Sequence, residues 1–251
     1  MGRAFEFRKG RKLKRWAAMS KAFTKIGKDI VMAVKAGGPD PHSNSHLRAV
    51  IQNAKAVNMP KDNIERAIKK ASDKNTENYK EVIFEGYGPH GIAVLVETST
   101  NNNNRTVANV RSYFSKCNGQ LGTQGSVEFM FDHICNFKIQ KPENLDLEEL
   151  EFEMIDFGVE EIFEDEDGIV LIAPFENYGT IFKSLEEGGY EIISSEFERI
   201  PQTTKELTEE QKADIEKLLE KFDEDEDVNN VYHTMKEDEE EEDKSFLKRI
   251  I

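Results

Sequence analysis

Cysteine, tryptophan and proline are scarce: two cysteines, one tryptophan and seven prolines stand among 251 residues. Cys117 and Cys135 show no Cys-x-x-Cys spacing and no metal-type pattern, so a reduced, cytoplasmic setting is expected. Nowhere do about 18 apolar residues run together, which predicts no membrane-spanning helix. The first residues are basic but lack an apolar h-region and a small-residue cleavage site, so no secretory signal is expected. Signatures of catalysis are missing as well. There is no Gly-x-Ser-x-Gly, no His-Glu-x-x-His and no Cys and His in a family pattern. The histidines at 42, 46, 90, 133 and 233 are dispersed. These absences predict a non-enzyme with no catalytic residue, metal site, cofactor or small-molecule substrate.

Charge is abundant and unevenly placed. The formal net charge is −15, yet the first 35 residues hold eleven Lys and Arg against Glu6 and Asp29 alone. Residues 1–75 carry 18 basic and 6 acidic groups, and the rest carries 16 basic and 43 acidic groups. A basic head on an acidic body points to contact with a polyanion through the head.

Periodicity divides the chain further. Residues 1–20 mix cations with Phe5, Phe7 and Trp16, a composition that predicts a flexible basic arm, ordering on a phosphate backbone with Trp16 free to stack on a base. Phe23, Ile26, Ile30 and Val34 then recur at helical spacing up to Gly37-Gly38-Pro39. Leu47, Val50, Ile51 and Ala54 mark a second helix, and Ile64, Ala67, Ile68 and Ala71 a third that starts at Pro60. Three narrow apolar faces can be buried only against one another, so residues 21–78 read as a helical bundle with its cations outside.

Beyond a polar linker the period becomes two. Strands are expected at 81–85, 92–96 and 127–131, with a helix carrying Val107, Val110 and Phe114 between the last two. Residues 133–202 read as a complete β-α-β-β-α-β unit, the order of a ferredoxin-like split βαβ sandwich, with Asp146 as a helix cap and Asp167-Gly168 as a hairpin turn. Thr208 and Gln211 have capping-box spacing before Ile215, Leu218 and Phe222, and a strand follows at 228–233. One helix and one strand cannot bury enough surface alone, so they are expected to complete the sheet begun at residue 81. The predicted class is multidomain α+β: an arm (1–20), a three-helix bundle (21–78), a discontinuous α/β domain (79–132 plus 203–235), an inserted ferredoxin-like α/β domain (133–202) and an acidic tail (236–251). The tail is expected to compete with nucleic acid for the arm.

Three stretches bear on chemistry. The glycine-rich 86–91 lacks the Lys-Ser/Thr of a phosphate-binding loop and reads first as a turn. Acidic clusters at 164–167 and 223–227 lack the calcium-loop signature and read as a hairpin tip and a solvated loop. Asn101-Asn102-Asn103-Asn104-Arg105 opens a helix whose N-terminus favours an anion, with capping and phosphate contact weighing equally there. Candidate nucleic-acid contacts are Arg8, Lys9, Arg11, Lys12, Lys14, Arg15, Trp16, Lys21, Lys25, Lys28, Lys61, Arg66, Lys69, Lys70, Arg105 and Arg111.

Several motifs carry a family likeness. Phe23-Thr24-Lys25, Gly37-Gly38-Pro39-Asp40-Pro41, Asn58-Met59-Pro60-Lys61-Asp62-Asn63-Ile64, Glu85-Gly86-Tyr87-Gly88-Pro89, Asn104-Arg105-Thr106-Val107 and Val231-Tyr232-His233 together resemble the YebC/PmpR family. The resemblance spans roughly residues 21–235. It implies a helical N-terminal domain and two α/β domains, the middle one completed by the C-terminal segment. It also implies a cytoplasmic, non-enzymatic regulator of gene expression. Bacterial members are DNA-binding transcriptional regulators, mitochondrial relatives activate translation, and some bacterial members relieve ribosome stalls at proline-rich stretches. DNA is therefore the first expected partner and ribosomal RNA the second. A protein-interaction adaptor, its acidic body on a basic partner, is a third reading. The family's Gly-His-Ser-Lys-Trp-type start is replaced here by Arg3-Ala4-Phe5-Glu6-Phe7-Arg8-Lys9, and the tail after Met235 lies outside the likeness.

Overall fold

The computed structural model describes residues 3–73, 75–142, 145–165 and 168–236, with side chains from residue 19 onward. The chain opens with α1 (Arg3–Gly37), α2 (Ser45–Ala56) and α3 (Lys61–Ala71). Ile26, Ile30, Val31 and Val34 of α1 pack on Leu47, Val50 and Ala54 of α2 and Ile64 of α3. One buried residue makes the corner between α1 and α2. The Asn44 amide donates to the carbonyls of Ala33 (2.8 Å) and Gly38 (2.9 Å), while its oxygen accepts from Leu47 N at 3.0 Å. A single side chain thus closes one helix and caps the next, as orphan terminal groups require.

The first departure from expectation lies in α1. Residues 3–20, expected as a flexible arm, have helical backbone continuous with the bundle. Lys, Arg, Ala, Leu and Met are strong helix formers, no proline interrupts them, and Gly10 alone weakens the run. Charge composition hid that propensity.

Next come β1 (Lys80–Tyr87), β2 (Ala93–Thr100), α4 (Asn103–Lys116) and β3 (Gln120–Leu121). They are followed by β4 (Phe131–Ile139), α5 (Leu147–Ile155), β5 (Glu161–Asp165), β6 (Gly168–Pro174), α6 (Tyr178–Glu187) and β7 (Ile192–Pro201). The described chain ends with α7 (Glu209–Asp223) and β8 (Val228–His233). Two antiparallel sheets result, with strand orders β3-β1-β2-β8 and β5-β6-β4-β7. In the first, β8 pairs with β2, aligning Val94 with His233 and Leu95 with Tyr232. Helices α4 and α7 cover one face of this sheet, Phe114 meeting Phe222 edge-on at 5.3 Å over Ile92, Val94 and Val96. In the second, Cys135, Phe137, Ile139, Leu171 and Ala173 face Leu150 and Met154 of α5 and Ile181 and Leu185 of α6. Asp167 of the expected hairpin turn and the acidic run 237–243 lie outside the described residues.

The strand expected at 127–131 is absent; a 3-10 turn (Glu128–Met130) stands there and β4 begins at Phe131. The cause is Glu85, buried on β1. Its carboxylate accepts from the backbone N–H of Gly125 (2.5 Å), Val127 (2.7 Å) and Glu128 (2.8 Å). Donors spent on a side chain cannot build a ladder. Burial pushes the Glu85 carboxyl up, but these three bonds together hold it below its ordinary pKa.

Polar contacts join the bundle to both sheets. Asn53 of α2 pairs with both backbone groups of Ser195 on β7, at 2.7 and 2.9 Å. Arg48 grips Glu186 of α6 with two parallel bonds of 2.9 Å. Arg199, buried on β7, reaches Glu97 of β2 at 3.1 Å and Glu128 at 3.0 Å. Replacing Glu85 by alanine should cost about 2 kcal/mol in urea unfolding. Amide exchange of Gly125, Val127 and Glu128 should accelerate well ahead of the neighbouring strands. Unchanged exchange at those three amides would show that the carboxylate does not hold the loop.

Candidate nucleic-acid interface

Helix α3 gathers cations because its apolar residues fall on one side only. Ile64 and Ala71 are buried, Ala67 and Ile68 half-buried, and Lys61, Arg66, Lys69 and Lys70 are exposed on the remaining arc. Asp62 in its first turn and Lys69 and Lys70 in its last suit the helix dipole. Local pairing on this face is loose. Lys61 lies 3.6 Å from Glu65 with both side chains mostly in water, a pairing worth little. Arg66 donates to the Asp62 carbonyl at 3.1 Å and to the Asn63 side chain. A shallow groove lined by Asp62, Glu65, Arg66 and Lys69 runs along it. Four cations against two acids leave the face positive, and Lys55 of α2 is exposed too.

Helix α1 is divided. Arg8, Lys9, Arg11, Lys12, Lys14, Arg15 and Trp16 ride on its helical backbone ahead of the described side chains. From Lys21 onward the cations turn inward. Lys21 pairs with Asp223 at 2.6 Å, and Lys25 donates to the Asn230 side chain at 3.1 Å. Lys28, expected on the outer surface, is 8% exposed. Its ammonium donates to the carbonyls of Ser99 (2.9 Å) and Glu226 (2.5 Å) and lies 3.7 Å from Asp227. An ammonium with its donors spent on protein oxygens in the interior is not a phosphate contact. Its neighbours in sequence, Gly27 and Asp29, gave no sign of those partners.

The start of α4 is likewise answered from within. Asn102 caps it, accepting from Arg105 N at 3.2 Å. Beside it lies Asp227, whose carboxylate accepts from Arg105 (2.7 Å), Thr106 (2.8 Å) and Thr100 (3.2 Å). The anion at this helix start is therefore the chain's own carboxylate. Arg105 remains half exposed although paired, and Arg111 is exposed. Loop 223–227 is not the solvated loop expected. Asp225 and Asp227 are buried, Asp225 accepting from Tyr113 at 2.9 Å and Asn109 at 3.2 Å. The nearest sequence signal for this site was Thr98-Ser99-Thr100, hydroxyls closing an apolar strand that must find partners inside.

Among the described residues no group of three His, Cys, Asp or Glu side chains is placed to hold a metal, and no helix is long and apolar enough to cross a membrane.

Against this geometry stand the likenesses to known proteins. A family model described as the TACO1/YebC protein N-terminal domain matches residues 3–74, and one described as the TACO1/YebC second and third domain matches residues 79–235. A relative from Flavobacterium psychrophilum, named a probable transcriptional regulatory protein, is 74% identical over 238 residues, covering 94% of this chain and all of its own. One of the same name from Parabacteroides distasonis is 61% identical over 242 residues, covering 96% and 100%. The crystal structure of a conserved hypothetical protein from Aquifex aeolicus superposes with a TM-score of 0.69 at 35% identity, covering 86% of this chain and 90% of that one.

Asp227 also yields a pH-dependence. Burial pushes its carboxyl up, but the bonds from Arg105 and Thr106 and the charges of Arg105 and Lys28 outweigh burial and set it below the ordinary 3.8. Its contribution to stability is complete above pH 3.8 and is lost as pH falls through the depressed folded value. Asp227→Asn takes from the buried Lys28 the carboxylate 3.7 Å away and from Arg105 its charged partner, and should cost about 3 kcal/mol at pH 7. Urea unfolding at pH 7 and pH 3 checks this: the gap between wild type and variant should narrow in acid.

Proposed function

This chain belongs to the TACO1/YebC family, and from that premise we propose that it is a cytoplasmic, non-enzymatic DNA-binding regulator of transcription. The observation carrying the reading is the exposed cationic face of α3. Lys61 and Lys69 stand eight residues apart, roughly 12 Å along the helix axis. That span is comparable to the major groove of a DNA duplex, about 12 Å wide, so cations at the two ends of α3 suit phosphates on opposite walls. The cations of residues 3–15 lie in the helical run that opens α1 and add to the positive charge of the N-terminal part of the chain. Affinity in this scheme comes from counterion release, and each phosphate neutralised adds about 0.9 to the slope of log K against log salt. Backbone contacts of this kind position the protein; they do not by themselves read sequence.

The test is fluorescence anisotropy on a labelled DNA duplex across a salt series. Changing Lys61, Arg66, Lys69 and Lys70 together to glutamine should weaken binding about tenfold or more and flatten the log–log slope by up to about 3.6. An unchanged slope would remove α3 from the interface. Sucrose-gradient fractionation at physiological salt decides between nucleic acids. Recovery with ribosomal particles instead of DNA would shift the partner to ribosomal RNA and the role to translation.

A further inference from the structure

Lys21, Lys25 and Lys28 are spaced i, i+4, i+7, so they form one stripe along α1. The same spacing carries back to positions 14 and 11. The bound end of this stripe meets the acidic loop and the strand after it, through Asp223, Glu226 and Asp227 and through Asn230. The acids of that loop differ in placement. Asp225 and Asp227 are buried and satisfied by α4, whereas Asp223, Glu224 and Glu226 are exposed. Asp223 in particular is 78% exposed in its side chain while holding the Lys21 ammonium at 2.6 Å. Such an exposed pair contributes little to stability. Its carboxylate stands where a phosphate oxygen would meet the same ammonium.

We propose that the exposed acids of loop 223–227 are an internal competitor for the outer part of this stripe, Lys21 and Lys25, so that a nucleic acid must displace Asp223 to extend its contact from the head of α1 to these two lysines. The proposal rests on the nucleic-acid reading above. The buried pair of acids anchors the loop, and the exposed three set the threshold for the ligand. The loop thereby limits weak, non-specific polyanion binding: a short or sparsely charged chain cannot outbid a tethered carboxylate, while a long phosphate run can.

The experiment compares four full-length proteins on one short DNA duplex, of the kind that should not displace the carboxylate in wild type, by anisotropy over a salt series. These are wild type, Lys21→Gln, the combined Asp223→Asn, Glu224→Gln, Glu226→Gln variant, and all four changes together. The exposed acids make no contact that Asp225 and Asp227 need, and circular dichroism verifies the fold of each. Neutralising the loop should tighten binding about threefold to tenfold and steepen the log–log slope by about 0.9, the value for one released cation. Lys21→Gln should change little in the wild-type background and cancel that added slope in the neutralised one. An unaltered affinity and slope on neutralising the loop would overturn the proposal, as would an equal cost of Lys21→Gln in both backgrounds. If wild type and neutralised protein alike ignore the duplex at low salt, the nucleic-acid reading itself fails, and the competitor with it.

Discussion

The arrangement of the whole molecule depends on one buried carboxylate. Asp227 sits in the lead into β8, yet its partners come from α1 (Lys28), the end of β2 (Thr100) and the first turn of α4 (Arg105, Thr106). Three stretches far apart in sequence, around residues 28, 100–106 and 227, are thereby fixed at one point. A carboxylate taken out of water must be compensated by several donors at once, and here the donors cannot assemble unless all three stretches are in place. The same constraint fixes the register in which the bundle meets the first sheet, because the Lys28 ammonium must also reach the Ser99 and Glu226 carbonyls.

That constraint sorts the charges of a strongly charged chain into two populations. Lys28, Arg199, Asp225 and Asp227 are buried, and cross-linking Arg48 and Glu186 are half-buried in a bidentate pair; all of these hold elements together. Lys61, Arg66, Lys69 and Lys70 make no buried ion pair and face water. The second population is what a polyanion can use. Glu85 belongs with the first: its carboxylate shapes the turn that connects the two sheets, and Arg199 ties that same turn to β7 and β2.

Much of this was legible in sequence wherever a local rule decides. The bundle helices, the Asp146 cap, the Thr208–Gln211 capping box and the alternation of Cys135, Phe137 and Ile139 follow from periodicity and turn chemistry, and the structure has them. The helical run of residues 3–20 was missed because charge outweighed local propensity in the reading; the other misses occurred where a distant partner decides. Nothing near Lys28 announces that the Ser99 and Glu226 carbonyls will accept its hydrogen bonds, and nothing in Asp223-Glu224-Asp225-Glu226-Asp227 distinguishes the two acids that go inside. Sequence reports the sign of a charge but not its distance to the opposite one. The exposed face of α3 was found because it needs no distant partner: the apolar arc alone fixes which residues remain outside.

The pairing of β8 with β2 has a consequence for how the chain is made. The first sheet to leave the ribosome is the last to be finished, since Val94 waits for His233 and Leu95 for Tyr232. Closing so long a loop would be slow were the intervening chain unstructured. It is not: Phe131 and Pro201 are paired where β4 begins and β7 ends, so the inserted sheet, once formed, brings its entry and exit side by side. Synthesis in this order makes the insert a folding clamp, and until it has closed, the edge of β2 stays open to the wrong neighbour.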